Sequence, residues 1–121
     1  MKFADTEAEV IAFLSERLDN VAVSLRVPTA RPTRFVRVWG SGGDGVNRVV
    51  DDVQLTIEAW SDDDEDAGAL ALMARDVLLN ESSGMPLVRQ IQATRPYFAP
   101  DPVTEVPRYR FTARLRVRAA R

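Results

Sequence analysis

The sequence predicts an α+β domain, a mostly antiparallel sheet of four to five strands with two helices packed on one face. Apolar residues recur at helical spacing near the N-terminus and again after residue 61. Apolar and polar residues alternate in two long segments, which end at Trp60 and Arg118. The length of 121 residues suits one domain with its own core, so we predict a single domain over residues 1–121.

The first helix is predicted to begin near Thr6, because Thr6 and Glu9 have the spacing of a capping box. An apolar stripe at helical spacing follows, formed by Val10, Ile11, Phe13, Leu14, Leu18 and Val21. The segment Val21–Val27 is predicted as a short edge strand, and Pro28 ends it because proline has no N–H to donate to a sheet.

A β-hairpin is predicted next. Its first strand runs from Arg34 to Trp39, and its second strand runs from about Arg48 to Trp60. The glycine-rich segment Gly40–Gly45 is predicted to form a long flexible loop between the strands. In the second strand, one face is apolar (Val53, Leu55, Ile57, Ala59) and the other is polar (Asp52, Gln54, Thr56, Glu58).

The second helix is predicted to begin in the acidic segment 61–66, where Asp62 and Glu65 have the spacing of a cap. Its predicted core stripe consists of Leu70, Met73, Ala74, Val77 and Leu78. Leu72 and Leu79 lie opposite this stripe, with Gly68 one turn before Leu72. Two leucines beside a glycine that permits close approach suggest a contact between subunits.

The remainder of the chain is predicted to form two strands separated by a proline-rich excursion. The strands are Leu87–Thr94 and Pro107–Arg118, and the excursion is Pro96–Pro107. In the last strand an apolar face alternates with a face that is almost entirely arginine. The arginines are Arg108, Arg110, Arg114, Arg116 and Arg118.

This row of like charges admits several interpretations. Asp52 and Glu58 on the neighbouring strand could pair with part of it, but two acids cannot neutralise five arginines. Part of the row is therefore expected to meet another subunit or to line a charged channel, while a solvated outer face stays open as the simpler interpretation. A nucleic-acid surface would call for interleaved aromatic side chains, whereas Tyr109 and Phe111 alternate onto the other face.

Several classes of function find no support. The chain has no cysteine and no histidine, so disulfides, thiolate chemistry and the commonest general base and metal ligand are missing. The net charge of −2 is not that of a polycation drawn to nucleic acid. No apolar run approaches the roughly 20 residues of a membrane span, and the N-terminus leads directly into the first helix without a signal peptide.

Two motifs fail in context. The glycines at 40, 42 and 45 match a dinucleotide-binding spacing, but a strand follows them where that motif requires a helix. A calcium loop starting at Asp62 would need glycine and glutamate where Ala67 and Met73 stand. The acids at 62–66 are better explained by the favourable field at a helix N-terminus. We therefore predict a protein that is not an enzyme and has no catalytic, metal or cofactor site.

The whole pattern resembles the tail terminator (tail completion) proteins of long-tailed bacteriophages, especially those of actinobacterial hosts. The resemblance covers nearly the whole chain. It rests on the acidic first helix, the glycine-tipped hairpin ending in Trp60, the acidic alanine-rich helix after it, and the Pro-Asp-Pro loop at 100–102 that leads into the arginine strand. These patterns are typical of a family and include no catalytic signature.

The resemblance implies a structural virion protein located at the head-proximal end of the tail and, during assembly, in the host cytoplasm. Its subunits would form a six-membered ring that caps the tail tube, ends tube polymerisation and presents the surface that joins the head. The implied partners are further copies of the chain, the major tail tube protein and a head–tail connector or neck protein. DNA would pass through the ring without sequence recognition, and no membrane is involved.

Two sets of site residues follow as hypotheses. The subunit interface would pair the acidic start of the second helix with arginines of the next copy, and high salt would then weaken the ring. This set comprises Leu72, Leu79, Asp62, Asp63, Asp64, Arg110, Arg114 and Arg116. The loops that would contact the tube or neck contain Gly42, Gly43, Asp44, Gly45, Asn47, Arg48, Tyr97, Phe98 and Asp101.

Three alternatives stay open at this stage. Another neck component, such as a head-closure or adaptor protein, would have a similar size and also form a ring. A nucleic-acid-binding module would use the arginine face and bind DNA in a salt-dependent way. A metal-dependent enzyme would need carboxylates that converge on one ion, which consecutive acids along a helix do not do.

Overall fold

A computed structural model describes residues 2–120 and confirms the predicted α+β class. In the described part, two helices cover one face of a six-stranded, mostly antiparallel sheet with the strand order β1-β2-β3-β6-β4, and β5 also pairs with β6. Among the strands of the described residues, only β1 and β2 run parallel. The elements are α1 (Thr6–Arg17), β1 (Ala22–Ser24), β2 (Phe35–Gly45), β3 (Val50–Trp60), α2 (Asp64–Asn80), a 3₁₀ turn (Ser82–Gly84), β4 (Val88–Ala93), β5 (Tyr97–Phe98) and β6 (Arg108–Arg118).

The core lies between the two helices and the apolar face of the sheet. Val10, Phe13 and Leu14 of α1 are buried there, as the helical stripe predicts. The alternation predicted for β3 and β6 is confirmed, since their apolar side chains meet across the strand pair. The core contribution of these strands is Leu55, Ile57, Ala59, Phe111, Ala113, Leu115 and Val117. This arrangement turns the arginines of β6 away from the helices.

Both helices begin where predicted, at Thr6 and within the acidic segment 61–66, but both predicted cap residues are wrong by one position. Asp5 caps α1 by accepting a hydrogen bond from the Ala8 N–H, while Thr6 is the first helical residue and is buried. Asp63 caps α2 by accepting from the Asp66 N–H, so Asp62 lies before the cap. In both segments two adjacent residues have side chains that favour the cap position, and the sequence alone does not choose between them.

The predicted core stripe of α2 is correct except at Met73, which is 46% exposed. Ala71 occupies the buried position instead, and it is fully shielded from solvent. The small side chain of Ala71 lets α2 lie close to the sheet, whereas the larger Met73 points away from it.

The glycine-rich segment is part of β2 and does not form the predicted loop. Gly40–Gly45 continues the pairing with β3, interrupted by a register shift between Gly40 and Gly42. The turn itself spans residues 46–49, where the side chain of Asn47 accepts hydrogen bonds from the N–H groups of Val49 and Val50. Glycine lowers strand propensity, but here the ladder to β3 holds the segment extended.

Two smaller features complete the sheet. The predicted edge strand after α1 is present as β1, which is shorter than predicted and pairs only with residues 35–37 of β2. The proline-rich excursion contains the short strand β5, which the sequence did not predict. Within the described residues, no helix is long and apolar enough to cross a membrane.

Candidate functional site

The open face of the sheet is the candidate site, and we call it the arginine face. Its residues on β6 are Arg108, Arg110, Thr112, Arg114, Arg116 and Arg118. The opposing strand β3 contributes Asp52, Gln54, Thr56, Glu58 and Trp60, each directly across from a β6 residue of the same face. Both helices pack on the other face, so the middle of the arginine face is accessible.

At one end of this face three arginines lie around a single buried carboxylate, that of Glu58. Glu58 is fully buried, and its Oε2 accepts hydrogen bonds from Nε and Nη2 of Arg110 at 3.0 and 2.5 Å. Oε2 also lies 3.3 Å from Nε of Arg108, and Oε1 lies 3.9 Å from Nη1 of Arg37. The hydrogen bond to Glu58 raises the pKa of Arg110 above its ordinary value. Glu58 is therefore hydrogen-bonded to one guanidinium group, that of Arg110, and lies within ion-pair distance of two more.

Two tryptophans lie on the same face as these arginines. The guanidinium of Arg37 is 4.2 Å and that of Arg110 is 5.9 Å from the ring centre of Trp39. Trp60 stacks on Phe35 at 5.1 Å and lies 5.0 Å from the guanidinium of Arg108. Such contacts are favourable because the ring face is electron-rich. Trp60 is buried, whereas Trp39 is partly accessible.

Sequence reasoning missed this cluster because it considered only the aromatic residues of β6. The alternation of Phe35, Arg37 and Trp39 along β2 places all three on one face. The register places this face beside the arginines of β6. Trp39 lies opposite Thr56 of β3, which in turn lies opposite Thr112 of β6.

At the other end of the face, Asp52 and Arg116 form a two-point ion pair. Nε and Nη2 of Arg116 donate to the two carboxylate oxygens of Asp52 at 2.8 and 3.0 Å. This bonding lowers the pKa of Asp52 and raises that of Arg116. The predicted pairing of the arginine row with Asp52 and Glu58 is thus confirmed. These two acids account for Arg108, Arg110 and Arg116.

Arg114, in the middle of the row, forms no ion pair among the described residues, although its charge helps to lower the pKa of Asp52. It is exposed and donates a single hydrogen bond to Oε1 of Gln54, at 3.2 Å. A shallow depression of about 520 Å³ surrounds it, lined by Gln54, Gln92, Ala93, Thr94, Thr112 and Arg114. The centre of the arginine face is therefore polar, accessible and positively charged.

The acidic residues proposed for the subunit interface divide into two groups. Asp63 is the cap of α2, and Asp66 accepts hydrogen bonds from Nε of Arg34 and from the hydroxyl of Ser61. Asp62 and Asp64 are exposed. Because Arg110 and Arg116 are also bonded within the chain, the charged groups still available for the predicted contact are Asp62, Asp64 and Arg114.

The leucines of the same hypothesis differ in accessibility. Leu72 is 39% exposed, and Leu79 is only partly exposed. Gly68 has a role within the subunit, since a Cβ at this position would lie 3.2 Å from the ring of Tyr109. Its small size therefore serves the packing of α2 on β6. Leu72 lines a groove of about 400 Å³ between α2 and Pro96.

Of the residues predicted to contact tube or neck, Gly42, Gly43, Asp44 and Gly45 belong to the exposed half of β2, while Asn47 and Arg48 lie in the turn that follows. Tyr97 and Phe98 form β5, with exposed fractions of 53% and 48%. Asp101 accepts hydrogen bonds from the N–H and hydroxyl of Thr104, which lower its pKa. Six of these nine residues therefore lie in paired strands, whereas Asn47, Arg48 and Asp101 lie outside them.

Comparison with known proteins adds no identification. No protein-family model matches the sequence, and no curated protein sequence matches it. Within residues 2–120, no group of three or more acidic side chains is placed to hold a metal ion.

Proposed function

We propose that this protein is a tail terminator subunit of a long-tailed bacteriophage. In this role, copies of the chain form a six-membered ring on the end of the tail tube, stop its polymerisation and present the surface that a connector or neck protein joins. DNA passes through the ring without sequence recognition. The protein would be part of the virion, at the head-proximal end of the tail.

The arginine face is the observation that carries this proposal. One face of the sheet is closed by α1 and α2, while the other is open and has an unmatched positive charge at Arg114. A ring subunit needs a polar surface that stays accessible to partners or to passing DNA. Its other sheet face must be covered by its own helices. The resemblance of the sequence to tail terminators adds the identity of the partner, which the fold alone does not supply.

We expect the purified protein to stop the growth of tail tubes assembled from the cognate tube protein. Tube lengths in negative-stain images should stay short when the protein is present during polymerisation, and a ring should be visible at one tube end. Measured in parallel over a concentration series, the mass of the free protein should include a species near six subunits. Tubes that grow unchanged beside a well-folded protein would contradict the proposal.

The same experiment separates the proposal from its nearest alternative. A protein that forms rings but leaves tube length unchanged, and binds the connector, would be a head-closure or adaptor protein. Arg114→Gln is a useful companion variant, because it removes the unmatched charge while keeping a polar side chain that can still reach Gln54. If the face acts through its charge, this variant should reduce capping without changing the fold, as judged by circular dichroism.

A second candidate function is favoured by Trp39. Single-stranded nucleic acids bind to aromatic rings that lie within a positively charged surface. Trp39 provides such a ring between Arg37 and Arg110, and it is partly accessible on the arginine face. This arrangement supports the nucleic-acid-binding alternative more than the sequence did.

If the protein binds single strands, its tryptophan fluorescence should change on titration with a short oligothymidine. The change should depend on Trp39, since Trp60 is buried and already stacked on Phe35. Trp39→Leu should remove the response, whereas Phe98→Leu, which alters an exposed aromatic that packs on Tyr109 away from this cluster, should preserve it. The affinity should fall as salt rises, by the release of counterions from the phosphates. A titration without response would reject this candidate.

A further inference from the structure

Both edges of the sheet are unpaired near the β2–β3 turn, as far as residues 2–120 are concerned. β1 covers β2 only along residues 35–37, so Gly40–Gly45 has no strand on its outer side. On the opposite edge, β4 pairs with β6 and with no further strand. Unpaired edges present rows of free N–H and C=O groups that pair readily with another chain.

The strand register aligns the unpaired part of β2 with the unpaired part of β4, so that both lie at the same end of the sheet. Gly43 lies opposite Val53, Val53 opposite Leu115, and Leu115 opposite Ile91. Three antiparallel pairings separate β2 from β4, so the two edge strands run in opposite directions. If a second copy stands beside the first with the same face forward, its β4 therefore meets β2 in the antiparallel sense.

On β2, the hydrogen-bonding groups that point outward can be found by counting in twos, because they alternate along antiparallel strands. The Val46 N–H points toward β3, where it donates to the carbonyl of Val50 at 3.2 Å. The residues at 42 and 44 therefore also direct their backbone groups toward β3. Gly43 and Gly45 direct theirs outward, to the unpaired side.

The same count on β4 makes Ile91 an outward-pointing residue. The Thr94 N–H donates to the carbonyl of Thr112 on β6 at 2.9 Å, so Gln92 and Thr94 face β6 while Ile91 faces away. The next outward carbonyl, that of Ala93, already accepts a hydrogen bond from Arg75 of α2 at 3.1 Å. The unpaired stretch of β4 therefore ends at residue 92.

We propose that copies of this chain join by pairing the unpaired stretch of β4 in one copy with residues 42–45 of β2 in the next. This inference rests on the proposed ring function and specifies its subunit contact. Pairing Gly43 with Ile91 brings together residues whose backbone N–H and C=O groups both point outward. Both residues also lie in register with Leu115, on the face of the sheet that the helices cover. The glycines of β2 leave the approaching strand unobstructed.

Only shifts by two residues preserve this match, because a shift by one reverses both the hydrogen-bonding phase and the face. Closing a sheet into a barrel requires some stagger between strands, and an even shift supplies it. In the resulting ring the helices lie outside, and the arginine face lines the hole. The lining near Arg114 would then be polar, with Gln54, Gln90 and Gln92 around it.

Strand pairing differs from the charged contact predicted from the sequence in a measurable way. Backbone hydrogen bonds within a sheet are little affected by salt, whereas exposed ion pairs are screened. In the charged contact, the acidic start of α2 would approach Arg114 of the next copy, although most of the other groups proposed for it are bonded internally. We therefore expect rings to persist at about 1 M NaCl, where the screening length is about 3 Å.

Paired cysteines provide the decisive test, because the chain has none of its own. Asp44 and Gln90 lie in one row on the arginine face, with β3 and β6 between them. Within one copy they are about 14 Å apart, by three strand spacings, which exceeds the reach of a disulfide. Across the proposed contact they would form a pair with Cα atoms about 4.5 Å apart.

Oxidation of Asp44→Cys/Gln90→Cys, or of Asp44→Cys/Gln92→Cys for the shifted register, should give a ladder of linked subunits on a non-reducing gel. Reductant should remove the ladder. The control Asp44→Cys/Glu65→Cys pairs the same edge with the exposed start of α2 and should give no ladder. Rings that form without a ladder in either test variant, or that dissociate in high salt, would overturn the strand-pairing contact.

Tube capping by the wild-type protein, read beside the ladder of the cysteine variants, distinguishes this inference from the proposed function. The wild-type protein is used because Asp44 is itself predicted to contact the tube or neck. Capping without a ladder would leave the terminator function standing and reject the contact. A ladder without capping would support the contact and reject the function. A wild-type chain that is monomeric both alone and with tubes would reject both.

Discussion

Replacing Glu58 by alanine is expected to destabilise the protein by about 3 kcal/mol, at the lower end of the range for removing one partner of a buried ion pair. The carboxylate is fully buried and contacts Arg37, Arg108 and Arg110. Without it, three guanidinium groups would repel each other in a partly shielded site. The lower end applies because Arg37 and Arg110 can turn part of their charge toward water. Urea unfolding measures the loss.

Two further variants provide comparisons for the stability loss expected of Glu58→Ala. Glu58→Gln keeps the size of the side chain and one acceptor oxygen, so it should restore part of the stability that alanine loses. Asp52→Ala removes the other carboxylate on the same strand and face, but the pair with Arg116 is largely exposed and should contribute much less. Equal losses for Glu58→Ala and Asp52→Ala would show that the buried cluster has no special role in the fold.

How far the sequence predicts this fold depends on whether a feature is local. The alternation in β3 and β6 and the stripe of α1 are local patterns, and they placed the apolar face correctly. Pairing partners are not local, since Glu58 and Arg110 are 52 residues apart. The sequence identifies the acids on the neighbouring strand, Asp52 and Glu58. Only the register shows that Glu58 lies beside three arginines and that Arg114 forms no ion pair within residues 2–120.

The errors in the predicted boundaries have a related cause. Glycines at 40–45 favour a loop when judged by propensity, yet pairing with β3 makes the segment a strand. The two-residue strand β5 depends on β6 for its existence, and nothing within residues 97–98 distinguishes it from a loop. Trp39 was overlooked as part of the candidate site because its neighbourhood comes from three different strands.

Gly43→Ala is expected to destabilise the hairpin by about 3 kcal/mol, from backbone strain and steric overlap together. Gly43 has φ +131°, a conformation that residues with a Cβ rarely adopt. A Cβ there would also collide with the carbonyl oxygen of Asp52 on β3. The substitution must therefore either push the two strands apart or change the backbone of β2, and urea unfolding should detect the loss.

The neighbouring glycines separate the two causes. Gly42 has φ +115°, but a Cβ added there would have no neighbouring atom within 4 Å, so Gly42→Ala should lose only the strain, about 1 kcal/mol. Gly45 lies outside the left-handed region, and its Cβ would be 3.6 Å from Oδ1 of Asp51, so Gly45→Ala should be nearly neutral. An order of losses other than Gly43, Gly42, Gly45 would contradict the close β2–β3 approach. Because the proposed contact between copies uses this stretch of β2, Gly43→Ala should also weaken the ring, while Gly45→Ala should leave it intact.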